Sequence, residues 1–194
     1  VAVSDLDSDG DLEVLSASEI DDKLAWYENL GGGEFGPQQL VTPIANGVRA
    51  VYSRDLDGDG DPDVLSARRD NTVAWYENLG GAAFGPERVL SSPDGAYAIY
   101  AIDLDGDDDA DVLSASMNDD TIAWCENNGN GSFAPQQIIS IAADGARSVF
   151  AADINGDGDV DVLSASFNDD KVAWYENLGG GSFGPEEIIS LSVD

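Results

Sequence analysis

Acidic residues occupy every second position in the stretch Asp5-Leu6-Asp7-Ser8-Asp9-Gly10-Asp11-Leu12-Glu13. The same arrangement begins again at Asp55, Asp103 and Asp153, so the first aspartates of successive copies are 50, 48 and 50 residues apart. Carboxylates at alternate positions of a tight loop provide oxygen ligands of the kind that a hard cation such as Ca²⁺ requires, six to eight of them at roughly 2.3–2.6 Å. Four copies at a nearly constant period therefore indicate both a cation-binding chemistry and a repeat architecture.

The composition of the chain is strongly acidic. It has 39 acidic and 8 basic residues and no histidine, which gives a formal charge of −31. Of the acidic residues, 20 lie in the four alternating stretches, where a bound cation would neutralise them. Without cations, such a concentration of like charge opposes the compact state.

The composition also excludes several classes of partner. Phosphate binding requires Lys and Arg, so we expect no nucleic acid as partner. No apolar stretch approaches the roughly 20 residues of a membrane-spanning helix, so we expect no membrane insertion. Hydrophobic residues form 42% of the chain and each repeat has one Trp, which argues against an acidic disordered chain. The chain shows no signal peptide, although it starts in the middle of the repeat pattern, so an upstream one could have been lost.

The remainder of each repeat predicts β-structure. Short segments rich in strand-forming residues alternate with clusters of Gly, Asn, Asp and Pro, and no segment shows a helical period over roughly ten residues or more. In the last repeat the predicted strands are Arg147–Ile154, Asp161–Ser166, Lys171–Asn177 and Glu186–Leu191. The sequence therefore predicts an all-β fold with four strands in each repeat of about 48 residues.

Four strands in a repeat of this length form the blade of a β-propeller. We therefore predict a single propeller domain over residues 1–194, with four-stranded blades at approximately 1–45, 46–94, 95–143 and 144–194. The acidic stretch joins the first strand of a blade to the second, which places all four stretches on one rim. Repeat units need neighbours that bury their faces. A four-bladed ring, half of an eight-bladed dimer, and a fragment of a larger propeller remain open as arrangements.

Three further features of the sequence are interpreted as packing or turns. The Leu-Gly-Gly-Gly segments at 30–33 and 178–181 are interpreted as flexible turns. Cys125 replaces the Tyr of the other repeats and is interpreted as an isolated thiol packed like a small hydrophobic residue, with an intermolecular thiol as the alternative. The tryptophans recur at equivalent strand positions, which favours a core between blades over a ligand platform. They are Trp26, Trp75, Trp124 and Trp174.

The chain resembles the FG-GAP/VCBS repeats, which include the propeller blades of integrin alpha subunits and many secreted bacterial proteins. The resemblance rests on the loop motif Asp-x-Asp-x-Asp-Gly-x-x-Asp and on the turn Phe35-Gly36-Pro37 with its later copies. It implies one Ca²⁺ per blade, bound by the side chains at loop positions 1, 3, 5 and 9 and by the carbonyl at position 7. The rival EF-hand motif fails, because it needs a Glu at position 12, where every copy here has Ser.

The resemblance assigns twenty residues, at positions 1, 3, 5, 7 and 9 of the four loops, to the metal sites. They are Asp5, Asp7, Asp9, Asp11, Glu13, Asp55, Asp57, Asp59, Asp61, Asp63, Asp103, Asp105, Asp107, Asp109, Asp111, Asp153, Asn155, Asp157, Asp159 and Asp161.

Two loops depart from the family pattern. Glu13 is one methylene longer than aspartate, so it either binds through both oxygens or displaces the ion. Asp108 replaces a glycine at position 6, where we expect a left-handed backbone that aspartate tolerates less well than glycine. We therefore expect the loops that begin at Asp55 and Asp153 to hold the ion best.

The favoured function is a non-catalytic interaction module of a secreted or cell-surface protein, with calcium stabilising the loops. The resemblance implies an extracellular setting, a role in processes such as cell adhesion, and a protein or glycan as ligand. Histidine is the commonest general base, and the chain has none, so we predict that it is not an enzyme. Self-association that completes a ring is a further prediction.

Two other functions are kept as alternatives. One is a carbohydrate-binding propeller, because repeated Trp, Tyr and Asn side chains could build sugar sites between blades. The other is a polysaccharide-active enzyme on a propeller scaffold. A unique site breaks repeat symmetry, and four arginines of the second repeat are the best candidate for an anion-binding patch, with solvated surface charge as the other interpretation. They are Arg49, Arg54, Arg68 and Arg69.

Overall fold

The computed structural model describes residues 1–192 and contains sixteen β-strands in four sheets. The strands of the first two sheets are β1 (Ala2–Ser4), β2 (Glu13–Ser18), β3 (Lys23–Tyr27), β4 (Gln39–Thr42), β5 (Val48–Arg54), β6 (Asp63–Arg68), β7 (Thr72–Tyr76) and β8 (Arg88–Ser91). The strands of the last two sheets are β9 (Ala96–Ile102), β10 (Asp111–Ser116), β11 (Thr121–Cys125), β12 (Gln137–Ser140), β13 (Ala146–Ala152), β14 (Asp161–Ser166), β15 (Lys171–Tyr175) and β16 (Glu187–Ser190). Each sheet consists of four consecutive strands and forms one blade, numbered 1 to 4 along the chain.

Each blade is an antiparallel meander in which every strand pairs with the next. In blade 4, Leu163 of β14 lies opposite Phe150 of β13 and Trp174 of β15. The predicted all-β propeller with four-stranded blades is confirmed, and the described residues include no helix long and apolar enough to cross a membrane. The four sheets lie within the four predicted ranges, whose boundaries stay predictions. Residues 193 and 194, which end the last range, lie outside the described residues.

The predicted strands of the last repeat differ from the structure at their ends. Strand β13 ends at Ala152, two residues before the predicted end at Ile154. Ile154 is the second residue of the acidic loop, where its N–H donates to the Asp161 carboxylate at 3.1 Å. An apolar side chain made this position resemble a strand, but a carboxylate rather than a neighbouring strand satisfies its backbone donor.

The blades pack face to face, and each hydrophobic cluster joins two neighbouring blades. Trp75 and Leu65 of blade 2, for example, lie in one cluster with Ile99 and Val112 of blade 3. Equivalent residues join blade 1 to blade 2 and blade 3 to blade 4. Both faces of an inner blade are therefore covered, and every residue of β6 and β10 is buried.

The tryptophans belong to these interfaces between blades. The exposed fraction is 6% for Trp26, 0% for Trp75 and 2% for Trp124. The Trp75 ring centroid lies 5.9 Å from that of Phe133 in blade 3. The prediction that Trp packs between blades is confirmed for these three. Trp174 is only half-buried, because the described residues contain no blade after blade 4.

Aromatic side chains also connect the first strands of neighbouring blades. The ring centroids of Tyr52 and Tyr100 are 4.9 Å apart, and those of Tyr100 and Phe150 are 5.2 Å apart. These contacts run from blade 2 through blade 3 to blade 4. The first strands therefore lie side by side and form the inner wall of the array.

Cys125 is a buried core residue. It is 2% exposed, and burial raises the pKa of its thiol to about 11. The thiolate is the reactive form of cysteine, so this thiol is unreactive at neutral pH. The interpretation as a small hydrophobic residue is supported, and the intermolecular thiol is not.

Glycines in the turn after the third strand provide space for the neighbouring tryptophans. A Cβ added to Gly131 would lie 2.1 Å from the Trp75 ring, and one added to Gly181 would lie 2.4 Å from the Trp124 ring. Both distances are far shorter than any real contact. The interpretation of 178–181 as a flexible turn is therefore incomplete, because Gly181 also packs against the Trp124 ring.

We expect Gly181→Ala to destabilise the protein more than Gly180→Ala does. The two glycines have similar φ angles, +66° and +60°, so the backbone cost of the substitution is similar. Only Gly181 faces a ring, because nothing lies within 4 Å of a Cβ at Gly180. Overpacking costs about 1–3 kcal/mol, and chemical denaturation should show a difference of that size between the variants. Equal destabilisation would show that the Trp124 contact does not require glycine.

Candidate metal-binding loops

Each acidic stretch connects the first and second strands of its blade, so all four loops lie at the same end of the sheets. The carboxylate of the first residue organises the loop by accepting hydrogen bonds from its backbone. Asp55 accepts from the N–H of Gly58 at 2.8 Å and from the N–H of Gly60 at 3.0 Å. Asp103 and Asp153 accept the equivalent hydrogen bonds. The shape of the loop is therefore held by its own first carboxylate.

The sixth residue of every loop has a left-handed backbone. Its φ is +97° at Gly10, +96° at Gly60 and +99° at Gly158. Asp108 adopts the same region with φ of +74°, and its N–H donates to Asp103 at 2.9 Å. The expected backbone requirement is confirmed. The third loop keeps the common shape, at the steric cost that a side chain carries in this conformation.

The ninth residue of every loop is buried at the start of the second strand. Asp63 is 0% exposed. One of its oxygens accepts from the N–H of Leu56 at 3.0 Å and the other from the N–H of Asn78 at 2.8 Å. Asp111 and Asp161 make the same two contacts. Burial raises the pKa of Asp63 and of Asp111 to about 7, so a nearby positive charge would favour their ionised form.

Glu13 takes the place of this aspartate in the first loop. It is 0% exposed, and burial raises the pKa of its carboxyl group. Its Oε2 accepts from the N–H of Leu6 at 2.7 Å. Within residues 1–192 its Oε1 has no hydrogen-bond partner. The longer side chain therefore keeps the contact with the loop and leaves one buried oxygen without a donor.

The side chains at positions 1, 3 and 9 converge in the first three loops. In each group, one carboxylate oxygen from each of three residues lies within 4.8 Å of the other two. The groups are Asp5, Asp7 and Glu13; Asp55, Asp57 and Asp63; and Asp103, Asp105 and Asp111. The fourth loop has Asp153, Asn155 and Asp161 at these positions, so only two of its three side chains are carboxylates.

The residues at positions 5 and 7 lie outside these three-carboxylate groups. The fifth residue is exposed in every loop. In the second loop, Asp59 accepts a hydrogen bond from the N–H of Asp61 at 2.9 Å. The other three loops make the same contact at 2.9 Å. Metal ligation by positions 5 and 7 stays a prediction.

Two observations show that these loops fit a cation. The buried oxygens Asp5 Oδ1, Glu13 Oε1 and Asp105 Oδ1 have no hydrogen-bond partner within residues 1–192, and an unsatisfied buried acceptor is costly. In the same part of the chain, no Lys or Arg forms an ion pair with a loop carboxylate. Converging oxygens without a donor or a counter-charge form a donor set that suits a hard cation.

In blades 2, 3 and 4, an asparagine after the third strand links the loop to the preceding blade. Asn127 is 0% exposed. Its Nδ2 donates to the Leu56 carbonyl in the loop of blade 2 at 2.8 Å and to the Ala110 carbonyl in its own loop at 3.1 Å. Asn78 and Asn177 make the same pair of contacts. The sequence analysis considered the repeated Asn only as a candidate for sugar sites and did not predict this link between blades, although its recurrence at the end of the Trp motif was an available signal.

The arginines of the second repeat do not form one anion-binding patch. Arg49 and Arg54 lie at opposite ends of β5. Arg68 is 5% exposed and pairs with Glu87 at 2.6 Å and with Asp70 at 3.3 Å. The prediction of a shared patch is therefore wrong, and so is solvated surface charge for Arg68, whose buried guanidinium pairs with two partly exposed carboxylates within blade 2.

The fold and its loops define a β-propeller repeat protein. The family model of the FG-GAP-like repeat matches residues 5–66, 55–114, 103–164 and 153–194. Each match begins at the first aspartate of a loop. The chain belongs to the FG-GAP-like repeat family, which confirms the resemblance seen in the sequence. No curated protein matches the sequence at a significant level.

Solved structures with this fold include two lectins. A lectin from Agrocybe aegerita, described as recognising non-reducing terminal N-acetylglucosamine, is 22% identical with a TM-score of 0.68, over 98% of this chain and 52% of its own. The BP39L lectin from Burkholderia pseudomallei is 20% identical with a TM-score of 0.72, over 97% of this chain and 55% of its own. BBS1N, solved in complex with ARL6DN, is 15% identical with a TM-score of 0.66, over 97% of this chain and 56% of its own. This chain therefore spans about half the length of these structures, and such identities establish the fold alone.

We expect Asn127→Ala to destabilise the protein more than Asn29→Ala does. Asn127 bridges two blades, whereas the Asn29 side chain donates only to Leu12 of its own loop among the described residues. Loss of a donor to buried carbonyls costs about 1–3 kcal/mol, and the difference between the variants in the free energy of unfolding should fall in that range. Chemical denaturation of both variants in the same buffer measures it. Matching losses would show that the link to the neighbouring blade contributes nothing.

Proposed function

We propose that this chain is a calcium-stabilised, non-catalytic propeller module that presents a binding surface to a protein or glycan outside the cell. The observation that carries the proposal is the convergence of three carboxylates, with oxygens within 4.8 Å of one another, in each of the first three loops. Like charges at such distances repel and disfavour ionisation. A bound cation removes this repulsion and supplies the positive charge that the buried carboxylates need.

Calcium suits these loops better than magnesium does. Ca²⁺ accepts six to eight oxygens in a flexible geometry, whereas Mg²⁺ demands a near-ideal octahedron and keeps several waters. The loops offer several carboxylate oxygens from one short segment, and the chain has no histidine that would favour a transition metal. The donor set therefore supports calcium over magnesium or a transition metal.

In this role the ion stabilises the folded structure and takes no part in a chemical reaction. Asp63 contacts both its own loop and the N–H of Asn78 after the third strand, at 2.8 Å. The Asn78 side chain in turn donates to the Leu6 carbonyl of blade 1 at 2.8 Å. A cation that neutralises Asp63 would thus stabilise the junction of loop, sheet and preceding blade.

Structural calcium sites of this kind suit a secreted or cell-surface protein. Extracellular calcium modules bind weakly, at roughly 10⁻⁴–10⁻³ M, because external calcium is steadily available. A net charge of −31 also makes the compact state dependent on cations. The location proposed here rests on these two arguments.

The likeness to solved propellers supports a binding role for the exposed surface. Two of those structures are lectins and one was solved with a partner protein, so carbohydrate is the second candidate ligand beside protein. Sugar binding by Trp26, Trp75 or Trp124 has no support, since they are at most 6% exposed. A glycan array probed with the protein in calcium distinguishes the two ligand classes.

Removal of calcium is expected to lower the melting temperature strongly. A site held at a hundredfold excess of calcium over its Kd contributes about 2.7 kcal/mol, and several sites together approach the roughly 5–15 kcal/mol of a typical domain. The measurement compares melting curves in roughly 10 mM calcium, which is about a hundredfold above a Kd of ~10⁻⁴ M, in excess chelator, and after calcium is restored, with magnesium as the control ion. Identical curves in calcium and in chelator would rule the proposal out.

The loops are expected to bind calcium with different affinities. The sequence predicted tight sites at Asp55 and Asp153, but the fourth loop, which begins at Asp153, has Asn155 at position 3 and so one carboxylate fewer among positions 1, 3 and 9. Asn155→Asp should therefore strengthen the fourth site, and the reverse change Asp57→Asn should weaken the second. One charge beside a cation contributes on the order of 1–4 kcal/mol, so each Kd should change about tenfold or more, in opposite directions. Calorimetric titrations that leave both affinities unchanged would exclude position 3 as a ligand.

A further inference from the structure

Three residues at equivalent positions of neighbouring blades interrupt the pairing of the first strand with the second. Arg49 of β5, Tyr97 of β9 and Arg147 of β13 have no partner residue on the second strand, because the register shifts at that point. One extra residue of this kind is a β-bulge, which redirects its side chain and is common beside functional sites. All three bulges lie at the start of the first strand, at the end of the sheets opposite the acidic loops.

The side chains of the three bulges meet around one ring. The guanidinium carbon of Arg49 lies 5.1 Å from the Tyr97 ring centroid, and that of Arg147 lies 5.4 Å from the same centroid. Arg147 also lies over the Phe167 ring, at 3.7 Å from its centroid. Such stacking is favourable and holds a guanidinium in place. We call Arg49, Tyr97, Arg147 and Phe167 the bulge cluster.

Arg147 has no counter-charge in the bulge cluster. Within residues 1–192 it forms no ion pair, and its Nε is buried without a hydrogen-bond partner. Arg49, in contrast, donates from Nε to Glu19 of the preceding blade at 3.0 Å. Glu19 is the first residue after β2, and the equivalent residue after β10, in the blade before Arg147, is the uncharged Met117. Arg147 is therefore unpaired because a neighbouring repeat differs in sequence, and a partly buried charge without a partner is unfavourable.

The cluster is open to solvent at this rim. The Phe167 side chain is 58% exposed. Its equivalents Glu19 and Arg69 are exposed as well, although blades 1 and 2 are each covered by a following blade. Exposure is therefore a property of this rim position. An exposed ring and an unpaired guanidinium lie side by side there and offer an apolar surface next to a cationic donor.

Neighbouring acids do not neutralise the cluster. Asp144 accepts from the Asn168 side chain at 2.9 Å, and Asp169 pairs with Lys171 at 3.1 Å, so neither pairs with Arg147. The acidic loops lie at the far end of the first strand. Strand β5 has seven residues and spans roughly 20 Å, whereas charges are screened beyond about 8 Å at physiological ionic strength. The net charge of the chain therefore does not prevent an anion from binding at this rim.

We propose that the bulge cluster binds a carboxylated sugar, with the Arg147 guanidinium donating to the carboxylate and the Phe167 ring packing on the apolar face of the pyranose. A guanidinium matches a carboxylate through two parallel hydrogen bonds, and Glu19 shows that a carboxylate fits beside this cluster. In a uronate the carboxylate is attached to the ring, so charge and apolar face are adjacent, as they are in the cluster. An acidic peptide has its carboxylates on short flexible stems without such a face. The inference rests on the binding role proposed above and names the ligand class, but it does not depend on calcium in the acidic loops.

Calorimetric titration with digalacturonate tests the ligand class. The titration is made at roughly 0.15 M salt, where loop charges are screened, with the dimethyl ester of the same disaccharide and tetra-aspartate as controls. We expect digalacturonate to bind about tenfold or more tightly than the ester, since hydrogen bonds to a charged group contribute at least that factor, and tetra-aspartate not to bind. Equal binding of the ester, or binding of tetra-aspartate alone, would overturn the inference. If digalacturonate fails to bind while a neutral glycan on the array binds, the inference fails and the proposed binding role stands.

Three variants test whether the cluster is the site. Arg147→Gln should weaken digalacturonate binding about tenfold or more. Arg54→Gln removes the same charge from an exposed arginine at the other end of the inner wall and should leave the affinity unchanged. Glu19→Gln should strengthen binding, because it releases Arg49 from its internal carboxylate. Equal effects of the two arginine variants would show that net charge rather than the cluster attracts the ligand, with melting curves to confirm that each variant folds.

Discussion

A buried carboxylate at the start of the second strand connects the acidic loop, the end of the third strand and, through an asparagine, the preceding blade. Asp63 accepts from the loop at Leu56 and from the end of the third strand at Asn78. The Asn78 side chain then reaches the Leu6 carbonyl of the preceding blade. Because burial raises the pKa of Asp63 to about 7, the group that joins loop, sheet and neighbour is also one whose charge needs stabilisation. The architecture and the candidate metal chemistry therefore meet in one side chain.

Much of the fold could be predicted because its signals are local and repeated. The alternating acidic stretch marks each connection from the first to the second strand, and the recurrent Trp marks the third strand. The ends of strands were less accessible, since Ile154 is apolar like a strand residue but has its N–H bound by Asp161. The role of Gly181 could not be read from the chain at all, because the Trp124 ring that it faces belongs to another repeat.

The candidate site could be predicted in its composition but not in its internal arrangement. From their spacing alone, the acidic positions of a loop are equivalent candidates for ligands. The fold brings the carboxylates at positions 1, 3 and 9 together in the first three loops and leaves position 5 exposed. The contact from Asn127 to Leu56 joins residues 71 positions apart, and a single repeat holds no information about it. Arg68 appeared as free charge for a similar reason, because its partner Glu87 lies two strands further along the blade.

Every sheet is formed by consecutive strands of one repeat, and within the described residues no strand pairs across a blade boundary. Hydrogen-bonded ladders are therefore complete inside a blade, while blades meet through side chains and a few added hydrogen bonds. Gene duplication or recombination that gains or loses a whole repeat would leave every ladder intact and present the same face to the new neighbour. Repeat arrays with nearest-neighbour interfaces also fold from local contacts. This architecture thus allows arrays of different length to arise without any change in how a single blade folds.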